Sequence, residues 1–484
     1  MILTPTLKLE KAMTEATTYG EWRDAAQAHD LESGMQAWRD GDESKHFDHA
    51  SIRDRLARLS LLWKEQDSKA LLYTLNEGIH GNMDGMGNER LYRKAKFGTK
   101  RLIEDYVAAV ANALTYLASA KVRTISRSEK LDFFKRAQHC YGRSALLMSG
   151  SGAFLYFHVG VVKALWQEGV LPHIISGSSG GSIVGALVCT HKDADLGPLF
   201  SPEQLYKEPL AAAGIAKRLT GEQVRARIEE IIPDLTFQEA YELTGRRLNV
   251  SVAPAEKHQN SRLLNAIASP NVFIREAVLA SCAVPGVYPP VMLMAKDHRG
   301  RRVAYLPDRK WVDGSVTNDL PSKRLARLYG VNHHIVSQAN PLISPFALDT
   351  KQANTPIAAI RHAAIATTKA WINANMAIMQ RPLSWFPPLN SLANITLSVI
   401  NQDYGGDINI VRPPKMWSPS KMLSDLNLAE IEELIADGER MSWPKIEMVR
   451  TQTRISQTLE QILQASGTEL ASDSEAPVRR KLAA

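Results

Sequence analysis

The chain has 484 residues, 44% of them apolar and 23% charged, an ordinary globular balance that excludes disorder, collagen and coiled coil as the governing architecture. Its net charge of +7, from 58 Lys and Arg against 51 Asp and Glu, is too small an excess to mark a nucleic-acid binder. Cys140, Cys189 and Cys282 stand far apart and supply neither a disulfide framework nor a CxxC metal or redox site, which points to a reducing, cytoplasmic setting.

Residues 1–16 lack the apolar core of a secretory signal. Three stretches of roughly membrane-span length carry no Asp, Glu, Lys or Arg: Ser144 to Val162, Val170 to His191, and Ala277 to Ala295. Gly/Ser clusters break the first two, and Pro285, Pro289 and Pro290 break the third, so all three read as buried strands and helices of a soluble core.

From Lys8 to Gln138 apolar residues recur at helical spacing, as in Leu56, Leu59, Leu62 and Trp63 and again in Ile103, Val107, Val110 and Leu114. His80 to Asn88, rich in Gly and Asn, predicts a loop between them. From about Gly142 the rhythm becomes strand, turn, helix, that of an α/β fold with a parallel sheet. Strands are predicted at Ser144–Met148, His173–Ser176, Leu248–Ala253, Lys310–Val312 and His334–Ser337. Helices follow at Ile360–Gln380 and Leu426–Glu439, the second capped by Asp425 or Asn427. Ser466 to Ala484 is polar and predicts a disordered tail.

The sharpest local signal is Gly177-Ser178-Ser179-Gly180-Gly181, between a predicted strand and a helix. This Gly-x-Ser-x-Gly elbow would project the Ser179 hydroxyl from a strained turn while Gly177 and Gly181 allow close backbone approach. The plainer reading is a glycine-rich packing turn. A second loop, Gly150-Ser151-Gly152-Ala153, also ends a strand and opens a helix, so its N–H groups could hold an anion or a transient oxyanion. Leu155 fills the slot where a dinucleotide fingerprint needs Gly or Ala. Asp313, in Trp311-Val-Asp313-Gly314-Ser315, ends a predicted strand and would reach the same sheet edge as Ser179; alone it could equally be an Asx turn. Of the histidines, only His333 and His334 follow shortly after Asp313, and their apolar strand setting suits a structural role, although a Ser-His-Asp triad stays open.

These three motifs in this order resemble the patatin-like phospholipase family. The likeness is greatest to its triacylglycerol-lipase branch, through Trp22, Asn88 to Tyr92, Gly98 to Tyr106, Lys130 to Phe134 and Tyr404-Gly-Gly-Asp407-Ile. Two positions depart from the usual pattern: Ser151 stands where the family has glycine, and Gly180 where the branch has alanine. The resemblance implies a patatin-like three-layer α/β sandwich with a mostly parallel central sheet. It divides the chain into an N-terminal helical domain (1–140), a catalytic domain (141–345), a C-terminal helical extension (346–465) and the tail (466–484).

It also implies a serine lipid acyl hydrolase, either a triacylglycerol lipase or a phospholipase A, that works through an acyl-enzyme. In this reading Ser179 is the nucleophile and Asp313 its base in a Ser-Asp dyad, partly desolvated to raise its basicity. Backbone N–H groups of Gly150, Ser151, Gly152 and Ala153 form the oxyanion hole, and neither a metal nor an organic cofactor is needed. A lysophospholipid acyltransferase or a catalytically silent lipid-binding protein are the alternatives.

The expected partners are a lipid substrate and, peripherally, a membrane or lipid-droplet surface, with no nucleic acid; oligomeric state is left open. Two basic clusters are the expected surface contacts: Arg90, Arg93, Lys94, Lys96, Lys100 and Arg101, and Lys296, Arg299, Arg301 and Arg302. Solvated structural faces are the plainer reading of both.

Overall fold

The computed structural model describes residues 4–206, 220–256, 260–340, 405–413, 421 and 424–481. The predicted helix over Ile360–Gln380 and the first residue of the Tyr404–Ile408 element lie outside them. Two compact units emerge. One comprises Met1–Ser144, Tyr329–His333 and Trp443–Ala484; the other comprises Ala145–Leu328 and His334–Ser442. The segment from Trp443 onward therefore groups with the N-terminal helices, whereas the sequence reading placed it in a separate C-terminal extension.

The first unit is helical, and its helix starts are fixed by side-chain caps. Thr4, Thr18, Asp48, Asp67 and Ser126 each accept a backbone N–H three residues on. The helix Arg101–Ala118 buries Ile103, Val107, Val110 and Leu114, the stripe its periodicity predicts. The last helix spans Ile446–Lys481 and so crosses Ser466, where the sequence reading begins the tail.

Most of the first basic cluster is engaged within this unit. Arg93 pairs with Glu89, Lys96 with Glu10 at 3.2 Å, and Arg101 with Asp40 at 3.0 Å. Lys94 lies over the Trp38 ring. Lys100 is only 2% exposed; it donates to the carbonyls of Trp38 and Gly41 at 2.6 Å each. Within the cluster Lys100 is buried, whereas Lys96 and Arg101 pair at the surface, 43% and 55% exposed. The second cluster is similar: Lys296 pairs with Glu239, Arg301 with Asp297, and Arg302 with Asp234 and Glu276. No helix among the described residues is long and apolar enough to cross a membrane.

The second unit carries the sheet. Its strands are β1 (Arg143–Met148), β2 (Ile174–Gly177), β3 (Arg247–Pro254), β4 (Arg262–Asn265), β7 (Trp311–Asp313), β8 (Val331–Gln338) and β9 (Ile408–Val411), while β5 (Met294–Lys296) and β6 (Arg302–Ala304) form a separate hairpin. The order is β4-β3-β2-β1-β8-β9. β1, β2 and β3 run parallel, as do β8 and β9, whereas β4 and β7 are antiparallel to β3. The five predicted strands all form.

Helices Leu155–Gln167 and Leu428–Ser442 cross at backbone contact. A Cβ on Gly160 would lie 2.0 Å from the carbonyl oxygen of Ile435, and one on Gly438 would lie 2.2 Å from that of Phe157. Only glycine at both positions permits this approach. Asn427 caps the second helix, its Oδ1 accepting the Glu430 N–H at 2.9 Å while Glu430 reaches back to the Asn427 N–H.

Candidate active site

Strand β3 acts as the ruler of the site. Val250 pairs with Gly177 of β2, and two residues later Val252 pairs with Asp313 of β7. Val252 also pairs with Arg262 of β4, so β7 must share the β3 edge that β2 occupies further back. β2 and β7 therefore meet nearly end to end. Asp313 was expected to emerge at the sheet edge beside the elbow; it arrives antiparallel, from the opposite direction.

Immediately beyond β2, Ser179 adopts φ 49° and ψ −123°, a conformation rare for a residue with a side chain and costing about 1–3 kcal/mol. Neighbouring groups hold it there. Its N–H donates to the Ser281 hydroxyl at 2.9 Å, which donates to the Ser251 carbonyl at 2.8 Å. Ser182 donates to the Ser179 carbonyl at 2.6 Å. The flanking glycines are demanded by contact: a Cβ on Gly177 would lie 2.2 Å from the Gly181 oxygen, and one on Gly181 would lie 2.6 Å from that of Met148.

The Ser179 side chain stands beside the Asp313 carboxyl, and both line the same cavity. Burial pushes that carboxyl up to about 6, against the opposing pull of hydrogen bonds from Ser315 and Ser179. Its Oδ1 accepts the Ser315 N–H at 2.8 Å, and its own N–H donates to the Ala283 carbonyl at 3.0 Å. Asp313 is 2% exposed and Ser179 8%.

The glycine loop needs one correction. The Gly150 N–H, expected as an oxyanion donor, is spent on Asp319 Oδ1 at 2.8 Å. Among the described residues no partner occupies the N–H groups of Ser151, Gly152 or Ala153, and all three residues line a cavity of about 260 Å³ together with Ser179 and Asp313. Its walls beyond them are mostly apolar, including Val159, Ile183, Leu187 and Ile228, with Arg227 and Asp425 paired at 2.8 Å. The helix Gly180–Cys189 starts at Ser179 and turns its positive end toward this space.

No histidine lines the cavity among the described residues. His333 bonds Ser144 and Gln452, and His334 approaches Asp407. Sequence reading missed three supporting residues: Ser281, Asp319 and His158. His158 Nε2 donates to the Ser149 carbonyl at 3.0 Å, which leaves Nδ1 to accept from the Ser337 hydroxyl at 2.7 Å. Burial holds this ring down at about 4, so it stays neutral.

The patatin-like phospholipase family matches residues 146–325, and a domain of unknown function (DUF3336) matches residues 4–139. A patatin-like phospholipase domain-containing protein of Aspergillus clavatus is 32% identical over 508 residues, covering 95% of this chain and 69% of its own length. The chain belongs to the patatin-like phospholipase family. A relative in Cryptococcus neoformans is 32% identical over 474 residues, 93% of this chain and 54% of that protein, so the chain spans about half the length of this longer relative. The crystal structure of VipD from Legionella pneumophila covers 68% of each chain at 13% identity with a TM-score of 0.30, too loose a likeness to carry an argument.

Proposed function

We propose that this protein is a serine lipid acyl hydrolase that cleaves glycerolipid esters through a Ser179–Asp313 dyad. The observation that carries this reading is the meeting of Ser179, on a strained elbow, and buried Asp313 at the wall of one apolar cavity that the backbone N–H groups of Ser151, Gly152 and Ala153 also line. Asp313 takes the hydroxyl proton as Ser179 Oγ bonds to the ester carbonyl carbon. The resulting oxyanion is held by the N–H groups of Ser151, Gly152 and Ala153. Collapse breaks the bond to the alcohol, which leaves with the proton from Asp313. Water then repeats the sequence on the acyl-enzyme and regenerates the dyad.

Triacylglycerol and phospholipid are both esters this machinery would serve, and a lysophospholipid could replace water as acceptor. These substrates are insoluble, so the enzyme would act peripherally at a membrane or lipid-droplet surface. The test is hydrolysis of a panel of defined tri-, di- and phosphoglycerides, with and without lysophospholipid, by wild type and Ser179→Ala. The reading expects no turnover and no fluorophosphonate labelling in a folded Ser179→Ala protein. Turnover retained by that variant would overturn the nucleophile assignment. A folded wild type that neither labels nor turns over any lipid would favour a silent binding protein.

A further inference from the structure

Asp319 lies six residues beyond Asp313, just past the short helix Ser315–Asn318, and is 2% exposed. It joins three segments that are distant in the chain. Its Oδ1 accepts the N–H of Gly150 in the glycine loop at 2.8 Å. Its carbonyl accepts the hydroxyl of Ser178, the residue before the nucleophile, at 2.8 Å. Through the chain it is tied to Asp313. The loop is gripped from its other side as well, where His158 holds the Ser149 carbonyl and the Ser149 hydroxyl accepts the Ala339 N–H at 3.2 Å.

We propose that Asp319 is a positioning residue, a strut that fixes the oxyanion loop against the nucleophile elbow so that the N–H groups after Gly150 stand where the ester oxygen develops charge. This rests on the dyad reading above. The distances explain why the strut must be short and buried. A Cβ on Gly150 would lie 3.1 Å from Ser315 Cβ and 3.6 Å from Asp319 Oδ1, so the loop and the Asp313–Asp319 segment are packed backbone to side chain. Donors of an oxyanion hole act only within a few tenths of an ångström of their proper place.

Asp319 also carries an electrostatic consequence. Burial pushes its carboxyl up to about 8, the Gly150 N–H opposing this and the neighbouring Asp313 charge adding to it. Below that pH the strut is neutral; above it a second negative charge appears behind the loop that must accept the oxyanion. Asp313 is the charged group that bears on it. Nearby, the Cys282 thiol, raised by burial and by Asp313, and the His158 ring, lowered by burial, stay neutral in this range, while the cavity wall also carries Glu230 and the Arg227–Asp425 ion pair. Ionisation of Asp319 should therefore impose an alkaline limb on turnover.

The experiment compares wild type, Asp319→Ala and Asp319→Asn on a soluble p-nitrophenyl acyl ester from pH 5 to 10, with folding followed by circular dichroism. Asp319→Ala should lower kcat about 100-fold while KM changes less than about threefold, because the lost alignment matters in the transition state. Asp319→Asn keeps an acceptor oxygen for Gly150 and should recover kcat to within about tenfold of wild type, with the alkaline limb gone and the acid limb kept. Wild-type kcat in folded Asp319→Ala overturns the strut, as does an alkaline limb that survives in Asp319→Asn. If Asp319→Ala does not fold, the Asn profile decides alone. Ser179→Ala separates the two ideas: a dead Ser179→Ala beside a fully active Asp319→Ala defeats only the strut, whereas an active Ser179→Ala defeats the dyad reading itself.

Discussion

The Ser281 hydroxyl accepts the N–H of Ser179 at 2.9 Å, so the backbone donor of Ser179 is spent on the scaffold. The same hydroxyl donates to the Ser251 carbonyl on β3, which makes it a peg between the elbow and the strand that also positions Asp313. Ser281→Ala would leave a buried donor and a buried acceptor unmatched. Thermal or urea unfolding should show a loss of about 1–3 kcal/mol, and kcat should fall on the order of tenfold as the strained elbow relaxes.

Asp313 must be ionised to act as base, and its carboxyl is raised to about 6 from an ordinary value of 3.8. The acid limb of kcat/KM should therefore lie near pH 6, with activity falling about tenfold per unit below it. Stability runs the other way. A carboxyl with a raised folded-state pKa favours the folded protein most below about pH 4, and this contribution is lost as pH rises through about 6. The loss amounts to about 3 kcal/mol. Asp313→Asn should consequently lower kcat by at least about a thousandfold while raising Tm at pH 7. A fall in Tm would show that the carboxylate is not the unfavourably buried group described.

Neither His333 nor His334 should carry protons in the reaction. His333→Gln and His334→Gln are expected to keep kcat within about threefold of wild type, since both side chains are engaged outside the cavity. His158 differs. His158→Ala should lower Tm and kcat together by releasing the Ser149 carbonyl, yet leave the acid limb near pH 6, because its ring is already neutral there. A shift of that limb in the histidine variant would implicate it in proton transfer.

Lys100 is the buried member of the first basic cluster. Its ammonium is capped by two carbonyls and sits 4.4 Å from the centre of the Trp38 ring. Lys100→Met should cost about 2–4 kcal/mol of stability. Replacing Arg93, Lys94 and Lys96 together with Gln should leave sedimentation with anionic vesicles unchanged at low salt. A marked drop in vesicle binding by the folded triple variant would restore the segment as a membrane contact.

The candidate nucleophile and base could be proposed from the sequence because each sits in a local signature: a glycine elbow around Ser179 and a strand-ending Asp-Gly at Asp313. Their supports were not. Ser281, Asp319 and His158 take their meaning from partners 102, 169 and 179 residues away in the chain, and nothing in their own neighbourhoods announces those partners. The same limit explains Gly150, whose N–H looked available until Asp319 was brought to it. Strands with continuous apolar runs, such as β1, were evident. The short β4 and β9 were not, since neither runs into a glycine turn such as those that mark the equally short β2 and β7.

On the proposed reading, the crossing of Gly160 and Gly438 would tie turnover to a position outside the cavity lining. Helix Leu155–Gln167 begins where the oxyanion loop ends, and its other neighbour presses against it with no room for a single methyl group. An alanine at Gly438 would have to lever that helix outward, and the donors at its leading end would move with it. Drift at a site more than 280 residues downstream of the loop would then be read by the cell as a slower enzyme before it was read as an unfolded one.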